Sequence, residues 1–202
     1  MRVPHRSIED FLARRTGWLT RQIEAQARRT REPLPGYVTG EVVPFLGHSL
    51  PLVIREFASD RSASVRLVNG SLEVAIAPMP AVDERRSAVV AALERWYRAQ
   101  AEADLQTRVA LYQPLVKAAP ASVLIRAQKH LWGSCSPGGV LRFNWRLVMA
   151  PPGVVDYVVV HELCHLRHPH HQTPFWDAVG TILPDYRARR AQLRREGDSY
   201  RL

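Results

Sequence analysis

The sequence predicts an α+β fold, with an N-terminal β-rich region followed by helices that carry the chemistry. Three observations lead there. Residues 37–78 break into short apolar segments separated by turn signals. From about Asp83 to Val116 the apolar residues recur at helical spacing. An apolar run from Val154 to Val159 then leads into two histidines four residues apart, His161 and His165.

Residues 1–36 read as a basic helical appendage. Ser7 and Asp10 resemble a capping box, and Ile8, Phe11, Leu12, Leu19 and Ile23 recur at near-helical spacing. Pro33, Pro35 and Gly36 stop that helix, and the main domain is expected over 37–202. Within it, Val42–Leu46 and Leu50–Phe57 flank a turn at Gly47-His48. Val65–Val68 and Leu72–Ile76 flank Asn69-Gly70, the strongest short hairpin signal. Val89, Val90, Leu93, Trp96 and Tyr97 give the following helical region its apolar side, as two helices or one kinked helix. A second β region follows, with strands at Ser122–Ala127, Trp132–Cys135 and Val140–Trp145 and a turn at Pro137-Gly138-Gly139. Pro151 and Pro152 suit the first turn of a helix, which Pro169 must end or kink. Phe175–Leu183 and Tyr186–Arg195 read as short closing helices.

With 202 residues and 46% hydrophobic content, the chain can bury one core. No stretch approaches the roughly 18 apolar residues of a membrane span, so no membrane partner is expected. The N-terminus lacks the apolar run of a secretory signal, and Glu9, Asp10 and Glu24 argue against a transit peptide. Two cysteines, Cys135 and Cys164, make no disulfide framework and suit a cytoplasmic setting. The net charge of +9 is almost all arginine, since Lys117 and Lys129 are the only lysines. Such a chain attracts nucleotides or nucleic acid without specificity, although a solvated arginine-rich surface gives the same composition.

Val160-His161-Glu162-Leu163-Cys164-His165 contains the HExxH pattern. Residues four apart on a helix lie about 40° apart around the axis and roughly 6 Å along it, so both imidazoles reach one ion. Glu162 sits about 100° around, where its carboxylate meets water without ligating. Zinc lowers the pKa of water and the carboxylate takes its proton. The apolar run buries this helix, and a buried His pair beside a glutamate needs compensation that a metal supplies. Cys164 points off the histidine face and reads as a buried hydrophobe.

A hydrolytic zinc site needs a third protein ligand. His168, His170 and His171 compete. On a continued helix His168 would stand roughly 10 Å along the axis from His161, which strains convergence. Pro169 breaks the helix, and a chain that turns back can bring His170 or His171 over the metal. His171 has the spacing of the HExxHxxGxxH zinc proteases, with His168 in place of their glycine.

The stretch from His161 to His171 with Phe175-Trp176 resembles the YgjP-like metallohydrolases, related to SprT-like and WLM-type zinc metallopeptidases. Trp132-Gly133-Ser134-Cys135-Ser136, Asn144-Trp145-Arg146-Leu147 and Asp156-Tyr157-Val158-Val159-Val160 are similar to the same family. The resemblance covers about residues 40–185. It implies a zincin-like fold, a metallopeptidase-type site and His171 as the third ligand. Leu131 stands where the family usually has a basic residue, Gln172 where a serine is common, and His170 where asparagine is usual. His170 therefore stays in view as a substitute ligand.

Tyr157, one turn before His161, either lines the cleft or packs in the core. Trp132 and Ser134 are candidates for holding an extended substrate beside the metal. Asn144 and Asp177 are candidates for contacts to the ligand imidazoles. Phe175 and Trp176 are expected to wedge the third ligand's loop against the core. The function expected is metal-dependent hydrolysis of a peptide or protein substrate, with Zn2+ as cofactor. A nucleotide phosphoanhydride is the second substrate class, and a nucleic-acid-associated protease or binding module the third reading.

Overall fold

Leu46 (φ 48°) and Gly47 (φ 80°) close the hairpin between β1 (Val42–Phe45) and β2 (His48–Glu56). In this computed structural model, which describes residues 36–57, 63–128 and 130–202 with residues 16, 17 and 20, Phe45 pairs with His48. The turn is therefore Leu46-Gly47, one residue earlier than the expected Gly47-His48. A two-residue loop of this kind needs positive φ at both positions. Leu46 tolerates it because its N–H donates to the Val148 carbonyl at 2.8 Å. A β-carbon on Gly47 would come 3.1 Å from Pro151 Cα, so the hairpin tip is moored where the metal-site helix begins. The residues expected to form an N-terminal helix, Ser7, Ile8, Asp10, Phe11, Leu12, Leu19 and Ile23, lie outside the described residues. Tyr37–Leu202 makes up one unit.

Asn69 (φ 48°) and Gly70 (φ 77°) close the second hairpin, between β3 (Ser64–Val68) and β4 (Ser71–Ile76), as the Asn-Gly signal requires. The four strands lie in the order β1-β2-β4-β3, with β4 parallel to β2. Local pattern does not reveal this crossover. Its physical basis is burial: Leu72, Val74 and Ile76 are all fully buried, and a central position covers them as an edge position would not.

One continuous helix, α1 (Val82–Val116), fills the region where two helices or a kinked one were expected. Val89, Leu93, Tyr97, Ala101, Leu105 and Val109 form its buried stripe at every fourth residue. Tyr97 donates its hydroxyl to the Pro44 carbonyl at 2.6 Å, tying α1 to β1. The helix ends at Lys117 in the left-handed region (φ 56°). There Ala118 N–H donates to the Gln113 carbonyl and Lys117 N–H to that of Pro114, both at 3.3 Å, which satisfies the last turn.

The second sheet has the order β5-β7-β6, from β5 (Ser122–Arg126), β6 (Gly133–Cys135) and β7 (Val140–Asn144). β6 is antiparallel to β7 and occupies an edge. Trp132 and Trp145, expected as strand residues, lie just outside. Trp145 instead opens a 3-10 turn, because Asn144 caps it by accepting the Arg146 N–H at 3.1 Å.

The central helix α2 (Pro152–Cys164) starts on a proline, as expected, and buries Val154, Val155, Val158, Val159 and Val160. It stops at Cys164, short of the expected limit at Pro169. Leu166, Arg167 and His168 donate back to the Leu163 and Cys164 carbonyls in a tightening turn. The residue before a proline avoids the helical region, so the chain must leave the helix by His168. Two helices follow, α3 (Thr173–Ile182) and α4 (Tyr186–Glu196). Asp156 on α2 is clamped by Arg108 of α1 and by Arg189 of α4, the latter at 3.5 Å. Among the described residues no helix is long and apolar enough to cross a membrane.

Candidate metal centre

His161 and His165 share one face of α2, with ring centroids 4.9 Å apart. The turn after Cys164 and the start of α3 bring His171 back over them, 4.9 Å from the His161 ring and 4.7 Å from the His165 ring. One nitrogen from each of the three lies within 4.8 Å of the others. The His161 and His171 Nε2 atoms are 3.0 Å apart. Two ligands of one tetrahedral zinc stand about 3.3 Å apart. His161 and His171 are thus nearly at coordination spacing, with a His165 nitrogen within 4.8 Å of both.

Aromatic packing holds them there. The fully buried Phe175 ring lies 4.9, 4.6 and 4.8 Å from those of His161, His165 and His171, making a common floor. Trp176 stacks on His171 at 5.6 Å and donates its indole N–H to the His171 carbonyl at 3.2 Å. These two residues join α3 to the loop of the third histidine. His165 Nδ1 lies 3.1 Å from the His168 carbonyl. The contact requires a proton on Nδ1 and leaves the Nε2 lone pair free to ligate. His168 thus meets the site through its backbone. His161 Nδ1 is buried without a hydrogen-bond partner among the described residues.

Burial, followed by the neighbouring His165, His171 and Arg190, pushes His161 down to about 3. Burial also lowers His165. Both rings are therefore neutral near pH 7, as metal ligation demands. Three imidazoles form a donor set suited to zinc, with room for a further ligand on the cleft side.

Glu162, next to His161 along α2, turns toward β6. Burial pushes its carboxyl up to about 8. Gly133 makes its position possible: a β-carbon there would stand 2.6 Å from Glu162 Cγ and 2.7 Å from Oε1. In the sequence Gly133 stands out only as a member of the Trp132–Ser136 block. Its signal was a glycine inside a strand, which marks close approach by another group. A cleft of about 670 Å³ opens between β6 and α2, lined by Ser134, Cys135, Glu162 and the three histidines.

The other candidate residues divide. Ser134 lines the cleft and accepts a long 3.5 Å hydrogen bond from Gln128. Leu131 also borders it. Trp132 packs edge-on against Tyr200 at 5.8 Å and abuts Gly197, supporting β6 from the side of the C-terminal turn. Tyr157 is buried, its ring 5.7 Å from that of His161. Asn144 makes no hydrogen bond to an imidazole among the described residues. Its amide donates to the Gln128 carbonyl at 2.8 Å and to that of Leu131 at 3.3 Å, pinning the loop before β6. Asp177 is exposed on α3 and makes no hydrogen bond to an imidazole among the described residues. His170 borders a separate groove with Arg167, Gln172 and Pro174, outside the cluster of three. Cys164 is buried, its thiol pushed up to about 11 by burial.

A model of the YgjP-like metallopeptidase domain matches residues 1–196. A comparison with curated proteins finds no match. Among solved structures the chain is similar to the zymogen of the metallopeptidase abylysin of Pyrococcus abyssi, at 20% identity and a TM-score of 0.41. That likeness covers 46% of this chain and 93% of the other.

Proposed function

This chain belongs to the YgjP-like metallopeptidase family, and from that premise we propose a zinc-dependent peptidase in which His161, His165 and His171 hold the metal and Glu162 is the general base. The observation that carries the proposal is the convergence of three imidazoles beside one buried carboxylate in a single cleft. Zinc bound in such a site supplies a Lewis acid that polarises a substrate carbonyl and lowers the pKa of water.

The rest is done by the chain. Glu162 takes a proton from the attacking water and returns it to the leaving amine. The buried Glu162 carboxylate on the cleft wall is suited to hold that proton between the two steps. His168 fixes the His165 tautomer through its carbonyl. The edge strand β6 lies along the cleft in the zincin-like manner, with main-chain groups available to an extended peptide and Ser134 on the wall. Free Cys135 and Cys164 are in keeping with a reducing, cytoplasmic setting.

The test pairs Glu162→Gln with elemental analysis. The variant should retain one equivalent of zinc and lose turnover of a peptide library by about 10³-fold. Unchanged turnover in the metal-loaded variant would remove Glu162 from its role. Phosphate release from nucleoside triphosphates, with no amine release from peptides, would transfer the site to phosphoanhydride chemistry.

A further inference from the structure

Helix α4 carries arginines of two kinds. Arg189 pairs with Asp185 and Asp156, and Arg195 pairs with Glu196. Arg187, Arg190 and Arg194 are exposed and have no carboxylate partner among the described residues. They stand at i, i+3 and i+7, the spacing of a single helix face. That face borders a groove of about 330 Å³ with Trp176 and Tyr186.

The groove is joined to the metal centre by stacked rings. Trp176 lies between His171, at 5.6 Å, and Tyr186, at 5.4 Å. Arg190 sits 4.8 Å from the Trp176 ring centre, and Arg187 sits 5.6 Å from that of Tyr186. The faces of Trp176 are thus taken by its own neighbours, which leaves no platform for a nucleobase. What the groove offers is guanidinium N–H donors. Three like charges on one helix face repel each other, and an anion relieves that repulsion. By way of Trp176, Arg190 is no more than about 10 Å from the His171 ring, a reach of about three residues of extended chain.

The geometry points to a substrate-recognition subsite: Arg187, Arg190 and Arg194 bind a carboxylate of the peptide substrate, either an acidic side chain or the terminal carboxylate, about two to three residues from the bond cleaved. This inference rests on the peptidase reading of the metal centre and adds the substrate class. Guanidinium–carboxylate bonds are charge-assisted and directional, so the subsite fixes the register of the peptide as well as its affinity.

The test uses the zinc-loaded full chain and three sets of acetylated peptides: one with a free terminal carboxylate, one amidated with an internal glutamate, and one amidated with glutamine in its place. The terminal or the glutamate set should exceed the glutamine set by about tenfold in kcat/KM, mostly through KM. Whichever set leads identifies the source of the carboxylate. In the triple variant Arg187→Gln/Arg190→Gln/Arg194→Gln the ratio should fall to near one. Arg194→Gln alone, which removes no intramolecular hydrogen bond, should lower it by about threefold and guards against misfolding of the triple variant. Equilibrium binding of the same peptides to Glu162→Gln protein gives a readout apart from turnover. An acid preference in binding that the triple variant loses, without turnover of any peptide, would keep the subsite and remove the peptidase reading. Equal treatment of the three sets, a preference unchanged in the triple variant, or displacement of every acidic peptide by a nucleoside triphosphate at lower concentration would overturn the inference.

Discussion

The Cα of Gly133 rests against the carboxylate of Glu162, so closely that an added β-carbon would stand 2.7 Å from Oε1. The contact sets the position of Glu162, the proposed general base, against β6, on the wall of the cleft. Gly133→Ala should therefore move the carboxylate rather than unfold the protein. We expect kcat/KM to fall about 10²-fold with zinc content unchanged, since displacement of a catalytic group by about an ångström has effects of that size. Peptide kinetics with parallel metal analysis would check it. Wild-type kinetics would show that Glu162 has freedom the structure does not give it.

His171 and His170 are adjacent in sequence and differ in surroundings. His171 joins the cluster with His161 and His165, whereas His170 borders another groove. His171→Ala should weaken zinc binding by at least about 10²-fold, and His170→Ala should leave it within about threefold. Competition with a chromogenic chelator measures both. The reverse order would exchange their roles.

Asp156 holds α1, α2 and α4 together through Arg108 and Arg189, with all three side chains no more than 23% exposed. Asp156→Ala would leave two largely buried guanidiniums short of a partner. A loss of about 2 kcal/mol in unfolding free energy is expected, below the range for fully buried pairs because water still reaches these groups. Urea unfolding of zinc-loaded protein provides the measurement, and a loss under about 0.5 kcal/mol would make the clamp incidental.

Stability of the metal-free protein should depend on pH through shifts of opposite sign, upward at Glu162 and downward at His161 and His165. Glu162 is raised from 4.5 to about 8 on folding, so its contribution is complete below pH 4.5 and is lost as pH rises through 8. His161 is lowered from 6.5 to about 3, so its contribution is complete above pH 6.5 and is lost as pH falls through 3. Between pH 6.5 and 8 the Glu162 effect outweighs that of the histidines, and chelated wild-type protein should lose stability as pH rises. Chelated Glu162→Gln protein should show no such decline. Thermal melts at several pH values compare the two, and parallel curves would contradict the assignment.

Much of this protein is legible in its sequence because much of it is local. The 3.6-residue period of a helix puts His161 and His165 on one face with Glu162 beside them, whatever else the chain does. Asn69-Gly70 closes its hairpin because those residues accept positive φ, and Pro169 requires the chain to leave the helix. Other features are decided by packing across long separations, which no local period encodes. The place of β4 between β2 and β3 follows from where Leu72, Val74 and Ile76 find cover. Residues 168–171 alone left the third histidine among three. The floor of Phe175 and the stack of Trp176 bring His171 to the cluster, while His168 contributes its carbonyl. The contact of Gly133 with Glu162 and the groove of Arg187, Arg190 and Arg194 beside Trp176 likewise exist only once β6, α2, α3 and α4 are packed. Sequence thus determined which groups could do the chemistry, through the fixed geometry of single elements. Tertiary structure decided which of them meet, because contacts between elements are selected by burial and close packing of the whole unit.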